Sequence, residues 1–112
     1  MASVTAPARG LDFTAVNRAA VANLPALCAR WLPDGYRAGA EWTARNPRRN
    51  DKRPGSFKVN LRTGKWADFA TGDKGGDVIS LAAYIGNVTQ GEAARQLSEM
   101  LGVPDGKGDG TR

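Results

Sequence analysis

Ser56-Phe57-Lys58-Val59-Asn60-Leu61-Arg62-Thr63-Gly64-Lys65-Trp66-Ala67-Asp68-Phe69 is the stretch whose reading settles the fold. Phe57, Val59 and Leu61 alternate with Lys58, Asn60 and Arg62, the period of two that a half-buried strand requires. Residues 56–60 and 65–69 therefore read as the two arms of a hairpin. Thr63-Gly64 supplies the turn, because glycine reaches the positive φ that such connections demand. Trp66 and Phe69 cannot share a face of a regular strand, so one of them points outward or sits past the strand end.

Upstream, Tyr36, Ala38, Ala40, Trp42 and Ala44 alternate with polar neighbours, so residues 36–44 read as a third strand with Trp42 in the core. Residues 46–55 carry two prolines and five charges, which leaves no buried pattern, and read as a loop. Before the strands, Phe13, Val16, Ala20 and Leu24 recur at helical spacing behind Asp12 or Thr14 as cap. Pro25 fits the first turn of a second helix, with Leu27, Cys28, Trp31 and Leu32 on its apolar side. After the hairpin, residues 72–76 form a tight loop and Asp77 caps a largely apolar helix ended by Gly86. Thr89 and Glu92 make a capping box for a last helix whose face is Ala93, Ala94, Leu97 and Leu101, stopped by Gly102 and Pro104. The expected class is α+β, a small three-stranded antiparallel sheet flanked by helices at both ends. Residues 1–10 read as a flexible tail, 11–103 as a single domain, and 104–112 as a linker or disordered end.

Composition excludes more than it selects. A chain of 112 residues with 41% apolar content makes one domain with a modest core. Cys28 is the only cysteine and there is no histidine, so neither an internal disulfide nor a structural zinc site can form from these residues. No cofactor is expected. The bland reading of Cys28 is a small buried apolar residue. No run approaches the roughly 18–20 apolar residues of a membrane span, and the first ten residues lack the apolar core of a signal peptide. The expectation is a cytoplasmic protein with no membrane partner.

The placement of charge is more informative than the net +5. Between residues 45 and 74 nine lysines and arginines face three aspartates, while the rest of the chain is close to neutral. Three readings compete for this segment. A positive hairpin and loop grip a phosphate backbone while Trp66 or Phe69 offers a stacking face to unpaired bases. Alternatively the charges are a solvated surface with the aromatics in the core, or they meet an acidic protein partner. Lys74-Gly75-Gly76 ahead of a helix cradles a phosphate or simply lets the chain turn. Catalysis finds little support: Asp68, Asp73 and Asp77 are near in sequence, but Asp77 has a capping role and no histidine is present. The chain does not read as an enzyme.

Two segments resemble a known family. Asn46-Pro47-Arg48-Arg49-Asn50-Asp51-Lys52-Arg53-Pro54-Gly55-Ser56-Phe57 is similar to the opening motif of the zinc-binding domain of bacterial and phage-type DNA primases, a Cys-Pro-x-His followed by an acidic–basic pair and Pro-Ser-Phe. Trp66-Ala67-Asp68-Phe69-Ala70-Thr71-Gly72-Asp73-Lys74-Gly75-Gly76-Asp77 resembles the second motif, which runs from an aromatic strand through Cys-Phe-x-Cys to Gly-x-Gly-Gly-Asp. The likeness spans residues 36–101, about two-thirds of the chain. Asn46, Arg49, Asp68 and Thr71 stand at the positions of the four zinc ligands, so the ligand spacing is kept and every ligand is replaced.

The resemblance implies a metal-free, zinc-ribbon-like module that binds single-stranded or primer-template DNA. It would serve as an accessory domain of a primase or primase–helicase of a phage or mobile element, beside a catalytic domain or protein. It also implies that the four replaced positions converge, with Arg49 pairing with Asp68. Arg48, Arg49, Lys52, Arg53, Lys58, Arg62, Lys65 and Lys74 are the candidate phosphate contacts, and Trp66 is the stacking candidate or else a core residue. The alternative is a protein-interaction module, or a small mobile-element inhibitor of a host nucleic-acid machine, that kept the fold and lost DNA binding.

Overall fold

The first helix begins where the sequence supplies a cap: Asp12 accepts the Ala15 amide, and α1 follows as Phe13–Ala22. Asn23 interrupts it, and Pro25 lies in the first turn of α2, Leu24–Trp31. The computed structural model describes residues 12–48 and 55–103. Among these, five strands follow the first helix pair: β1 (Tyr36–Ala38), β2 (Glu41–Ala44), β3 (Phe57–Asn60), β4 (Trp66–Asp68) and β5 (Lys74–Gly75). Two further helices, α3 (Val78–Gly86) and α4 (Gln90–Leu101), end the described chain. The tails 1–10 and 104–112, the loop residues 49–54 and the lower bound of the domain at 11 lie outside the described residues.

The class is α+β, but the sheet has five strands in the order β1-β2-β3-β4-β5, all antiparallel, where the sequence pattern implies three. Two local features account for the extra strands. Gly39 sits at φ +62, and with Ala40 it folds residues 36–44 back on themselves, pairing Ala38 with Glu41. This two-residue turn shifts the side-chain phase, so Tyr36 shares a face with Thr43 rather than with Trp42. At the other edge, Lys74 and Gly75 pair with Ala67 and Trp66, making a strand from what reads as a loop. A Cβ at Gly75 would lie 2.3 Å from the Trp66 indole nitrogen and 2.2 Å from Ser80 Oγ, so only glycine fits there.

One face of the sheet is closed by α3. Phe57, Val59 and Leu61 are buried as the alternation requires, and Trp66 joins them. Tyr84 of α3 lies over this face, 4.5 Å from the Trp66 ring and 6.0 Å from that of Phe57. The core continues through Val78, Ile79 and Leu81 of α3 to Leu97 of α4 and to Val16, Leu24 and Cys28 of α1 and α2. Phe13, expected on the apolar stripe of α1, is exposed. At the start of α3 Asp77 and Ser80 form a reciprocal capping box, and Asn17 of α1 accepts the Ile79 amide. Thr89 caps α4 through the Glu92 amide, while the Glu92 carboxylate turns to Arg95 and Gln96. Asn87 takes the left-handed conformation after α3, and Gly102 does so after α4. No described helix is long and apolar enough to cross a membrane.

Candidate nucleic-acid interface

The face of the sheet opposite α3 is built by the register. Tyr36, Thr43, Lys58, Ala67 and Lys74 are successive cross-strand partners, so they form one row across all five strands. Phe57 and Val59 on either side of Lys58 are fully buried, which sends Lys58 to the other face. A second row runs Ala38, Glu41 and Asn60, and the Asn60 amide bonds the Lys65 carbonyl. Beyond the end of β4, the Phe69 amide bonds the Ser56 carbonyl, and the Phe69 ring is 72% exposed. Tyr36, at the β1 end of the first row, is 54% exposed. Phe69 and Tyr36 are thus two large aromatic side chains exposed to water, Tyr36 in the row that holds Lys58 and Lys74 and Phe69 beyond the end of β4.

Lys65 and Lys74 are exposed and Lys58 half-buried. Among the described residues their ammonium groups enter no ion pair. Arg45 is neutralised by Asp34, and Arg95 by Glu92 and Glu99. On this open face of the sheet a depression of about 190 Å³ is lined by Glu41, Lys58, Asn60, Lys65, Trp66, Ala67 and Phe69.

The replaced ligand positions behave differently. Asn46 and Asp68 are 1% and 0% exposed, and Asn46 Nδ2 donates to Asp68 Oδ2 at 2.6 Å. Nδ2 also donates to the Tyr84 hydroxyl at 2.8 Å, and that hydroxyl donates to Asp73 Oδ2 at 2.8 Å. Asp68 Oδ1 accepts the Ala70 amide, and Asn46 Oδ1 accepts the Arg48 amide. Thr71 stays on the rim: its amide reaches the Asp68 carbonyl at 3.3 Å, and its hydroxyl accepts from Asp73. Two of the four positions therefore meet directly and a third flanks them. Arg49 and its pairing with Asp68 lie outside the described residues. The Tyr84 phenol is pushed above its ordinary pKa, first by burial, with Asp73 adding to the shift against the hydrogen bond from Asn46.

The sequence-derived contacts separate accordingly. Lys58, Lys65 and Lys74 share the open face. Arg62 is exposed in the β3–β4 turn, and Arg48 is exposed with its guanidinium 4.9 Å from the centre of the Tyr84 ring. Lys52 and Arg53, like Arg49, lie outside the described residues. Trp66, the stacking candidate, is only 5% exposed, and its indole N–H donates to Ser80 Oγ at 2.9 Å. It is a core residue, and Phe69 is the ring that faces outward. Tyr36 was hidden by the phase shift at Gly39.

The Lys74-Gly75-Gly76 segment offers no open helix end. The Ser80 amide is taken by Asp77 Oδ1 and the Ile79 amide by Asn17 Oδ1. Cys28 is fully buried, and burial pushes its thiol up to about 12, so it remains a protonated apolar side chain at neutral pH. Among the described residues no group of three acidic, histidine or cysteine side chains is placed to hold a metal. Neither a known family model, nor a curated protein, nor a solved structure matches the chain.

Proposed function

We propose that this domain is a nucleic-acid-binding module that takes single-stranded or primer-template DNA on the open face of its sheet. The observation that carries the reading is the group of Lys58, Lys65 and Lys74 on one face of the sheet, without ion pairs among the described residues, on the side where the Phe69 ring is exposed. Lysines neutralise phosphates and release counterions, and a ring left in water stacks on any unpaired base. The role is binding and not catalysis. The likeness of its two motifs to primase zinc-binding domains supports an accessory place in a primase or primase–helicase of a phage or mobile element. In that reading the Asn46–Asp68–Tyr84 network replaces the metal as the clamp between the two motif loops.

The test is a fluorescence-anisotropy titration with single-stranded and duplex DNA at low and moderate salt, for the native chain and for Phe69→Ala. The reading expects tighter binding of the single strand and steep weakening with salt. It also expects the Phe69→Ala chain to lose roughly tenfold in single-strand affinity, within the range of one lost stacking contact. Absence of binding to either DNA at low salt would refute the reading and leave the basic face to an acidic protein partner.

A further inference from the structure

Resting on the single-strand reading, we propose that the depression between Phe69 and Glu41 is a subsite for one unpaired guanine. Glu41 is the informative residue. A surface selected only for phosphate would gain nothing from a carboxylate among lysines, since like charges repel. Yet Glu41 lines the same hollow as Lys58 and Lys65, and among the described residues it has neither a salt-bridge nor a side-chain hydrogen-bond partner. A carboxylate only accepts, so it needs two donors side by side to use both oxygens. Of the four common bases, guanine alone presents two adjacent donors on its Watson–Crick edge, N1–H and the N2 amino group. Adenine and cytosine pair one amino group with a ring nitrogen acceptor, and thymine or uracil offers a single N–H between two carbonyls.

The rest of the lining matches the rest of that edge. Guanine O6 is an acceptor, and Lys58 and Lys65, which line the hollow, carry ammonium donors for it. Asn60 is fixed in one orientation, because its Oδ1 accepts the Arg62 amide at 2.8 Å and the Thr63 amide at 3.2 Å. Its NH₂ group is then the end left to donate. Phe69 borders the hollow with its ring exposed, a surface on which a splayed base stacks while its edge is read. Ala67, the residue between Lys58 and Lys74, contributes only a methyl to the lining.

The experiment compares oligothymidylate with the same strand carrying one central guanine, adenine, cytosine or inosine, in matched DNA and RNA versions. The chains compared are the native one and Glu41→Gln. The guanine strand is expected to bind about tenfold more tightly than the others, the scale of one bidentate base contact. Inosine, which lacks the N2 amino group, loses most of that preference. Glu41→Gln brings the guanine-to-thymine ratio close to one and strengthens oligothymidylate binding, because a negative charge leaves the face. A merely destabilised protein would weaken both. Preference in either the DNA or the RNA series supports the subsite and identifies the sugar it accepts. Equal, tight binding of all strands overturns the guanine subsite and leaves the single-strand reading intact, whereas failure to bind any strand overturns both.

Discussion

The two faces of this sheet are made by the same strands and treat polar groups in opposite ways. On the face toward α3, Asn46, Asp68, Tyr84 and Asp73 are tied into a chain of hydrogen bonds of 2.6–2.8 Å, walled by Phe57 and Trp66. On the open face, Lys58, Lys65, Lys74 and Glu41 carry charge without an ion pair among the described residues. Burial explains the bonding of Asn46 and Asp68, since a polar group out of water costs free energy unless it is bonded. It does not explain the pattern of the open face. Solvated charges add little to folding, so the lysines and exposed rings of this face are what the proposed single-strand reading assigns to the ligand. One face is organised for stability, and the other is the face the proposed function gives to binding.

The largest expected effect tests that division directly. Trp66→Ala should cost roughly 3–5 kcal/mol of stability in urea unfolding, the usual range for deleting a buried aromatic ring. If Trp66 were instead a stacking ring, the same change would leave the unfolding midpoint in place and lower DNA affinity alone. Asp68→Ala should cost about 3 kcal/mol, because the buried Asn46 amide and the Ala70 N–H both lose an acceptor. A loss below about 0.5 kcal/mol, the level of a neutral surface change, would show that the network does not hold the two motif loops together.

The smaller effects belong to the open face. Phe69→Ala should change unfolding by less than about 0.5 kcal/mol while weakening single-strand binding, the reverse of Trp66→Ala. Smallest of all, removing Lys58, Lys65 or Lys74 singly should reduce the salt dependence of single-strand binding by about 0.7 in log–log slope per lysine. A lysine whose removal leaves the slope unchanged is not a phosphate contact, which would narrow the interface to the remaining two.

The helices, the β3–β4 hairpin and the caps at Asp12, Asp77 and Thr89 were legible in the sequence because they rest on local rules: apolar period, glycine at turns, oxygen side chains at helix starts. Even there the hairpin turn is longer than Thr63-Gly64. Asn60 Oδ1 collects the amides of Arg62 and Thr63, a side-chain bond that the period of two does not announce. Within the candidate site, the three lysines could be named from their charge, and the meeting of Asn46 with Asp68 followed only from the resemblance of the two motifs to primase zinc-binding domains.

By itself, the sequence determined the α+β class, the basic middle segment and the absence of any disulfide or histidine site, because composition and local periodicity are properties of the chain. Only the tertiary structure decided which aromatic ring is outside. Trp66 and Phe69 are three residues apart, and alternation ends with β4, so their fates depend on where pairing to β3 and β5 stops. It also decided the fifth strand, because Gly75 joins the sheet where a side chain would strike Trp66 and Ser80. The face of Tyr36 was settled in the same way, since a two-residue turn at Gly39 inverts the phase of everything before it. Pairing between distant segments fixes these outcomes, and local pattern carries no record of it.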